Sequence, residues 1–401
     1  MKVILSWLSC VILYCIHHHL VEFCVLPQGV KKTMSYRMSV SPNVRKSPYF
    51  DATVTDGVKS FAVYNHMYMP VDFGDPDAEY DRLLNGAAMW DVACERQVEL
   101  AGPDAGRLAQ YLTTRDLANA VPGQGMYVPL CDHDGNLIND PVLLKLSASQ
   151  YWLSIADSDI ALWAKAIAAE RRLKVSVVEP DVSPLAVQGP KAPDVIAELL
   201  GDWVRELKYF WFRETDLDGI RLLVVRSGWS KQGGFELFLR DSTRGIELWN
   251  RVKAAGERYA IGPGAPNDVE RIESGLLSFG TDVDVLTNPY EVGLGRYVDL
   301  EQADEFVGQN ALKKIVGEGI KRRQVGLFLS GERIVPNEHP YPVLLENDVV
   351  GTMSAAVYSP RLDRNIALAL VNADIGNDAV GLLVDSGENV RDATVTDLPF
   401  C

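Results

Sequence analysis

Apolar and polar residues recur along this chain with two different periods, which together predict a fold of the α+β class. Apolar residues return every three or four positions from Asp77 to Met89, from Asp104 to Leu112 and near Gly245–Ala255, as is typical of amphipathic helices. From Arg96 to Leu100, apolar and polar residues alternate strictly, which predicts a strand. Helices and strands follow one another in an irregular order, and no internal repeat accompanies them.

The stretch from Met126 to Ile155 predicts an antiparallel meander. Its apolar runs are interrupted at Asp132–Asn136, where Asp, Gly and Asn tolerate the left-handed backbone of a hairpin turn. The polar residues Asp157–Asp159 follow the last run and precede an apolar-periodic stretch that starts at Ile160. We therefore expect a helix from Ile160 whose first turn is capped by one of these side chains.

Further elements are predicted in the second half of the chain. They comprise a strand over 175–179, a helix after Pro190, a hairpin from Ile220 to Leu239 and a helix from Asp268 to Leu277. The run Gly262–Pro266 is rich in glycine, but its two prolines remove backbone amides that a phosphate-binding loop needs. We expect it to form a turn that leads into the following helix.

After about Asp304 the character of the sequence changes. One helix over ALKKIV leads into short apolar segments broken by Gly and Pro, which indicates a separate small β domain. We expect a main region at 41–304 and a C-terminal β domain at 305–401.

Residues 1–40 form a leader that differs from the rest in composition. Val3 to Ile16 is an apolar run preceded by one lysine, and it is shorter than the roughly 20 residues that a spanning helix needs. Two interpretations stay open: a signal or anchor segment, or translation that starts at Met34 or Met38. On either interpretation the leader is left out of the fold.

The net charge and the number of cysteines indicate which partners the protein can bind and in which cellular compartment it works. The chain carries 54 acidic against 39 basic side chains, a net charge of −15, which disfavours binding to a phosphate backbone. After the leader, the cysteines are Cys94, Cys131 and Cys401, too few for a disulfide framework. We expect a cytoplasmic protein without nucleic-acid or membrane partners. The leader leaves export or anchoring open, and the oligomeric state is not predicted.

Most familiar kinds of catalytic site find little support in the sequence. His66, His133 and His339 are scattered and no metal-binding motif accompanies them, so no metal site is expected. Nucleotide-binding glycine loops with the required spacing are missing. Cys94 is a lone cysteine, and we favour a packing role over a nucleophilic one because no paired histidine or nucleophile elbow is evident.

Three polar segments at the ends of predicted strands remain. Asn139-Asp140-Pro141 lies between two apolar strands, where a carboxylate followed by proline would point into a cleft. A glycine-rich hairpin loop runs from Arg226 to Glu236 and contains Trp229, and Tyr64–Met67 is a compact aromatic and polar cluster. Each segment alone is also compatible with an ordinary loop.

Taken in order, the motifs resemble those of the folate-dependent aminomethyltransferase family, typified by the T-protein of the glycine cleavage system. The resemblance runs from about Pro48 to the C-terminus through VYNHM, WDVACERQVE, TTRDL, LINDPV, SIADSD, VQGPK, RSGWSKQGG, RIES, YSP and TDLPF. It implies a three-domain cloverleaf with two interleaved N-terminal domains, a small β-barrel-like C-terminal domain and tetrahydrofolate in a central channel.

The resemblance also implies roles for individual residues. Asp140 and Glu236 match the carboxylates that hydrogen-bond the pterin of tetrahydrofolate, and Phe210 and Trp229 match aromatic residues of the folate site. Carboxylates suit the amino and ring N–H donors of a pterin because they can accept paired hydrogen bonds. No covalent catalytic residue and no metal are implied.

Within the family, the motifs resemble most those of members that transfer a methyl group from a small sulfonium compound, dimethylsulfoniopropionate, to tetrahydrofolate. Trp229, Tyr64 and Phe238 are then expected to form an aromatic wall around the sulfonium, on the argument that a desolvated cation needs aromatic faces where no carboxylate is to hand. Such members have a tyrosine where this chain has Phe238, so the exact substrate stays open. The alternatives are another small onium or methoxy compound, or a non-catalytic folate-binding regulatory module. A glycine-cleavage role is less favoured because the acidic chain shows no basic patch for an acidic carrier protein.

Overall fold

The computed structural model of the chain describes residues 21–22, 37–38, 41–387 and 389–401. The leader predicted over residues 1–40 lies outside the described residues, apart from two short paired strands at 21–22 and 37–38. In the described part of the chain, no helix is long and apolar enough to cross a membrane.

Helices and strands alternate through the described residues up to about residue 320, and strands dominate thereafter. The α-helices of the described part are α1 (Phe50–Thr55), α2 (Pro76–Asn85), α3 (Ala105–Leu112), α4 (Ile160–Glu170), α5 (Ala192–Leu200), α6 (Gly245–Gly256), α7 (Asp268–Glu273) and α8 (Gln309–Glu318). Its strands are β1 (Val21–Glu22), β2 (Arg37–Met38), β3 (Ser60–Tyr64), β4 (Met67–Asp72), β5 (Ala88–Asp91), β6 (Gln97–Ala101), β7 (Gln124–Tyr127), β8 (Leu130–Cys131), β9 (Leu137–Asn139), β10 (Val142–Ser147), β11 (Gln150–Ser154), β12 (Ser176–Val178), β13 (Ser183–Gln188), β14 (Phe212–Leu217), β15 (Ile220–Val225), β16 (Gly234–Leu239), β17 (Gly262–Gly264), β18 (Arg322–Leu329), β19 (Tyr341–Leu345), β20 (Asp348–Ser359), β21 (Arg364–Asn372), β22 (Leu382–Asp385) and β23 (Val390–Thr396).

Two mixed layers of sheet and helix build the first three quarters of the chain. One is an antiparallel sheet in the order β12-β6-β11-β10-β7, packed with α3 and α4 through an aliphatic core. The other has the order β14-β15-β16-β13-β5-β17, is antiparallel except for β17, and packs against α5 and α6. Burying the apolar stripe of each helix against a sheet is the main stabilising contribution in such layers.

The two sheets contact each other through a separate apolar cluster. Leu144 and Trp152 reach it from the first sheet, and Leu223, Val225 and Phe238 reach it from the second. Side chains alternate between the two faces of a strand, so Leu237 of β16 packs toward α5 and α6 and Phe238 packs toward the first sheet.

The C-terminal strands close into a barrel in the order β18-β21-β20-β19-β22-β23, with β23 paired back to β18. Closure leaves no free sheet edge, and buried residues such as Leu327, Val343 and Met353 fill the interior. The predicted α+β architecture with a small C-terminal β-barrel is therefore confirmed.

Helix α7 connects the barrel to the sheets through buried charges. Glu273 accepts hydrogen bonds from Tyr80 Oη (2.7 Å to Oε1), from Arg361 Nη2 (2.6 Å) and from the Ser359 hydroxyl. Arg271 pairs with Asp282 (2.7 Å), whose other oxygen accepts from Ser354 Oγ at 2.6 Å. The RIES motif thus joins the barrel to the rest of the molecule, and buried charges of this kind are tolerated only when fully paired.

Four local predictions were wrong. The helix from Asp77 ends at Asn85, and Ala88–Asp91 form a fully buried strand, because a short apolar run alone does not distinguish a helix from a central strand. Gly262–Gly264 form β17 beside β5, where a turn was expected. Helix α4 begins at Ile160 as expected, but the Asp159 side chain does not cap it. The helix predicted to Leu277 ends at Glu273.

Candidate active site

A cavity of about 1840 Å³ lies where the two sheets and the barrel meet. Residues from the β3–β4 hairpin, the turn after β5, the loop between β15 and β16, the segment around α7 and the barrel all line it. A cavity of this size can hold a ligand considerably larger than a typical drug molecule.

Asp140 lines this cavity from the connection between β9 and β10. Its Oδ2 accepts a hydrogen bond of 2.6 Å from Tyr127 Oη. Burial raises the pKa of this carboxyl to about 6, although the Tyr127 hydrogen bond acts in the opposite direction. Asp140 therefore lies in the cleft, as the sequence predicted.

The fully buried Asn139 fixes the backbone on which Asp140 is carried. Its Oδ1 accepts from the backbone N–H groups of Asp140 and Ala156, each at 3.0 Å. Its Nδ2 donates to Ala156 O at 2.9 Å and to Ser158 Oγ at 2.8 Å. All the capacity of the amide is used, so the Asn-Asp-Pro sequence positions the carboxyl rigidly.

Glu236 lines the cavity from β16 and is almost completely buried. Its carboxylate accepts a hydrogen bond from the Ser227 hydroxyl, and burial raises its pKa above the ordinary value. Asp140 and Glu236, which the sequence predicted to act together, thus line one cavity.

The loop before Glu236 is shaped by Gln188, the glutamine of the VQGPK motif. Its Nε2 donates to Ser227 O at 3.0 Å, and its Oε1 accepts from Ser230 Oγ at 2.8 Å. A Cβ at Gly228, where φ is +147°, would lie 2.0 Å from Gln188 Nε2, and one at Gly234 would lie 2.3 Å from Val187 O. Both glycines are required by this close approach, which explains the glycine pattern of the motif.

Aromatic side chains surround the carboxyl groups. Trp229 lines the cavity, donates from Nε1 to Leu277 O at 3.2 Å, and has Arg271 Cζ 5.8 Å from its ring centroid. Phe210 lines the cavity next to Tyr209, with ring centroids 4.3 Å apart. Its φ of +61° is rare for a bulky residue and is held by a 2.8 Å hydrogen bond to Arg226 O.

Tyr64 lines the cavity as expected, but Phe238 does not. The Phe238 ring is 1% exposed and packs between the two sheets with Trp152 and Leu144. The expected aromatic wall is therefore reduced to Tyr64 and Trp229. Its premise was also wrong, because carboxyl groups line the cavity, among them those of Glu95, Asp140 and Glu236.

Sequence reasoning missed Glu95, Tyr127, Tyr209 and Tyr297 as cavity residues. Glu95 follows the buried strand β5, whose first two residues the sequence predicted as the end of a helix. Tyr127 and Tyr297 contact each other edge to face at 5.1 Å although 170 residues separate them in the sequence. The sequence did carry a signal for Glu95: it lies in the WDVACERQVE motif, and no structural role had been found for the charged residues of that motif.

Cys94 also lines the cavity. Burial, with the charges of Glu95 and Asp91, raises the pKa of its thiol well above the ordinary value, so the thiol stays protonated. This agrees with the packing role favoured from the sequence. In the residues that the structure describes, no group of three or more His, Cys, Asp or Glu is arranged to hold a metal ion.

Comparison with known proteins places the chain in a family. Residues 49–302 match the GCVT N-terminal domain, and residues 322–401 match the glycine cleavage T-protein C-terminal barrel domain. The chain belongs to the glycine cleavage T-protein family, as its motifs indicated.

Individual relatives refine this assignment. The chain is 40% identical over 357 residues to dimethylsulfoniopropionate demethylase DmdA of Ruegeria pomeroyi, covering 89% of this chain and 97% of that protein. It is 32% identical over 368 residues to an aminomethyltransferase of Thermotoga maritima, covering 89% and 98%. The crystal structure of glycine cleavage system aminomethyltransferase T from Bartonella henselae superposes with a TM-score of 0.79 at 22% identity, covering 89% of this chain and 98% of that one. The T-protein type of three-domain fold is thereby confirmed.

Proposed function

We propose that this chain is a tetrahydrofolate-dependent methyltransferase that demethylates dimethylsulfoniopropionate. The observation that carries the proposal is the 40% identity to a dimethylsulfoniopropionate demethylase along 97% of that protein's length. The identity to the aminomethyltransferase of Thermotoga maritima is lower over a similar length, which favours demethylation over aminomethyl transfer.

The cavity residues fit a pterin. The half-buried Asp140 and the buried Glu236 supply carboxylate acceptors for the pterin's amino and ring N–H groups, and each is oriented by a hydroxyl donor of its own, Tyr127 or Ser227. Phe210 supplies an aromatic face next to them. We propose these residues, with Trp229, as the folate contacts.

Bound tetrahydrofolate would supply the nitrogen that accepts the methyl group and releases its own proton to water, giving 5-methyltetrahydrofolate and 3-(methylthio)propanoate. The sulfonium is already activated, because the carbon–sulfur bond breaks with its electron pair going to sulfur and a neutral thioether leaves. The protein must then mainly hold the two reactants in line, which converts a bimolecular displacement into a positioned one. The rigid Asn139–Asp140 segment and the glycine-shaped loop beside Trp229 suit this task.

The substrate is a zwitterion, and the cavity carries charges of both signs. Lys231 and Arg296 line it, and neither forms an ion pair within the part of the chain that the structure describes. They are available for anionic groups, namely the propionate of the substrate or the glutamate tail of folate. A purely apolar cavity would exclude both ligands.

A methyl-transfer assay tests the proposal. Purified protein, tetrahydrofolate and dimethylsulfoniopropionate should give 5-methyltetrahydrofolate and 3-(methylthio)propanoate in equal amounts. Parallel reactions with other small onium and methoxy compounds test the alternative substrates. Folate binding without turnover of any of them would contradict the enzyme assignment and support a regulatory folate-binding module.

A further inference from the structure

Glu95 is an acidic cavity residue whose carboxyl group has no hydrogen-bond or ion-pair partner among the residues that the structure describes. It follows β5 in the turn of 92–95, closed by a hydrogen bond of 2.9 Å from its own N–H to Val92 O. Its side chain lines the cavity and is half-buried.

Glu95 differs from Asp140 and Glu236, which line the same cavity, in what contacts its carboxyl group. Tyr127 donates to Asp140, and Ser227 donates to Glu236. In the described residues, no hydrogen-bond donor and no cation lowers the pKa of Glu95, whereas burial and the charges of Glu236 and Asp140 raise it. A half-buried carboxylate between two other acids is costly unless a positive charge joins it.

Asn65 holds Glu95 close to the aromatic ring of Tyr64. Asn65 adopts a left-handed backbone (φ +50°), and its Nδ2 donates to Cys94 O at 3.0 Å and to Ala156 O at 3.0 Å. Its N–H donates to Asp157 Oδ1 at 2.8 Å. Hydrogen bonds therefore connect the residue after Tyr64 to the residue before Glu95. Burial, together with the charge of Glu95, raises the pKa of the Tyr64 hydroxyl.

We propose that Glu95 is the counter-charge for the onium group of the substrate, with Tyr64 as the adjacent aromatic face, and is thereby a specificity-determining residue. This inference rests on the proposed function. It explains why a carboxyl without a donor is kept in the cavity, and it places the sulfonium next to the carboxyl groups proposed to hold the pterin. Charge selection at this point would favour a sulfonium over the neutral thioether product.

The position of Glu95 predicts which kinetic constant it controls. Positive charge is present on sulfur in the substrate and is shared with the attacking nitrogen in the transition state, so it is conserved along the reaction path. A carboxylate beside this path stabilises both states, and such uniform binding affects KM more than kcat.

The test compares a charged ligand with its neutral counterpart in the full-length protein. Calorimetry measures binding of dimethylsulfoniopropionate and of 3-(methylthio)propanoate to the wild type, Glu95→Gln and Glu95→Asp. We expect Glu95→Gln to weaken sulfonium binding by about 10- to 100-fold and thioether binding by less than about 3-fold, with Glu95→Asp in between. In turnover assays KM should rise while kcat changes little.

Glu338→Gln is the matched control, since Glu338 lines the same cavity from the barrel and is exposed. It removes one negative charge from the cavity and should leave sulfonium affinity unchanged.

An equal effect of Glu95→Gln and Glu338→Gln would overturn the inference, because it would show that the total negative charge of the cavity attracts the sulfonium. Equal weakening of both ligands by Glu95→Gln would overturn it by showing a structural role for Glu95. Glu95→Gln should not unfold the protein, because it removes a costly charge, and thermal melts with folate titration check this. If Glu95→Gln does unfold, the test uses Glu95→Asp instead. Failure of Glu95→Asp to weaken sulfonium binding selectively would then overturn the inference. If the wild type turns over normally and Glu95→Gln binds the sulfonium as tightly as the wild type, the inference about Glu95 is overturned and the proposed function still stands. A wild type that neither binds nor demethylates a sulfonium would overturn the proposed function and the inference with it.

Discussion

The hydroxyl of Tyr127 lies 2.6 Å from Asp140 Oδ2 and donates to it, so a strand of the first sheet orients the carboxyl that follows β9. Tyr297 packs edge to face on the Tyr127 ring, and Arg115 Nη1 donates to the Tyr127 carbonyl at 3.2 Å. Contacts from two nearby segments, and from Tyr297 far along the chain, therefore fix the direction in which Asp140 faces the cavity.

Replacing Tyr127 by Phe should raise the pKa of Asp140 above its value of about 6, because the lost hydrogen bond favours the ionised form. One charge-assisted hydrogen bond corresponds to roughly one pH unit or somewhat more. The pH below which tetrahydrofolate binding declines should move upward by that amount, as measured by titrations between pH 5 and 8. Tyr209→Phe is the control, since Tyr209 lines the same cavity without a hydrogen bond to Asp140 among the described residues. The same shift in both variants would contradict the assignment.

Asp140→Asn should stabilise the protein at neutral pH. The folded-state pKa of about 6 lies above the ordinary value of about 3.9, so ionising Asp140 costs stability as pH rises between these two values. Removing the charge should increase the free energy of unfolding by about 1–3 kcal/mol above pH 7, and this gain should vanish below about pH 4. Denaturant unfolding at pH 4, 6 and 8 measures it. A pH-independent difference would show that the effect comes from packing or hydrogen bonding.

The fold could be predicted from the sequence wherever one period dominated over a long stretch. The hairpin of β15 and β16, helix α3 and the change to short strands after residue 304 all had such a pattern. Ala88–Asp91 did not, because a central strand buried on both faces lacks alternation. Because this strand was not predicted, Glu95, which follows it, was not predicted to line the cavity.

The candidate site shows the same division between local and long-range information. The backbone requirements of Gly228 and Gly234 leave a local signature in the sequence, and Glu236 follows it directly. The burial of Phe238 between two sheets is decided by residues such as Trp152, which no local pattern connects to it. The pairing of Tyr127 with Tyr297 is equally non-local.

Glu236→Gln should weaken tetrahydrofolate binding far more than substrate binding. The amide keeps the shape of the side chain but loses the charge and one acceptor, and charge-assisted hydrogen bonds contribute about 1.5–3 kcal/mol each. This corresponds to about a 10- to 150-fold loss in folate affinity by calorimetry. Glu99→Gln offers a comparison, because Glu99 also accepts hydrogen bonds but contacts Trp152 and Gln150 instead of the cavity. Unchanged folate affinity in both the Asp140 and Glu236 variants would refute the pterin contacts.

Trp229→Leu should raise KM for the sulfonium substrate by up to about 30-fold, because leucine retains much of the apolar contact but removes a cation–π attraction of up to about 2 kcal/mol. Folate affinity should change little if the loop keeps its shape. The loop has support independent of Trp229, since Gln188 binds Ser227 and Ser230 on either side of it. Trp203→Leu is a close control: its indole also donates to a backbone carbonyl, that of Leu200 at 2.8 Å, but it lies outside the cavity. If Trp229→Leu binds the sulfonium normally, the cation is recognised without Trp229, by Glu95 and Tyr64. If sulfonium and folate affinities fall together, Trp229 acts by packing the hairpin loop, and the tryptophan makes no separate contribution to onium binding.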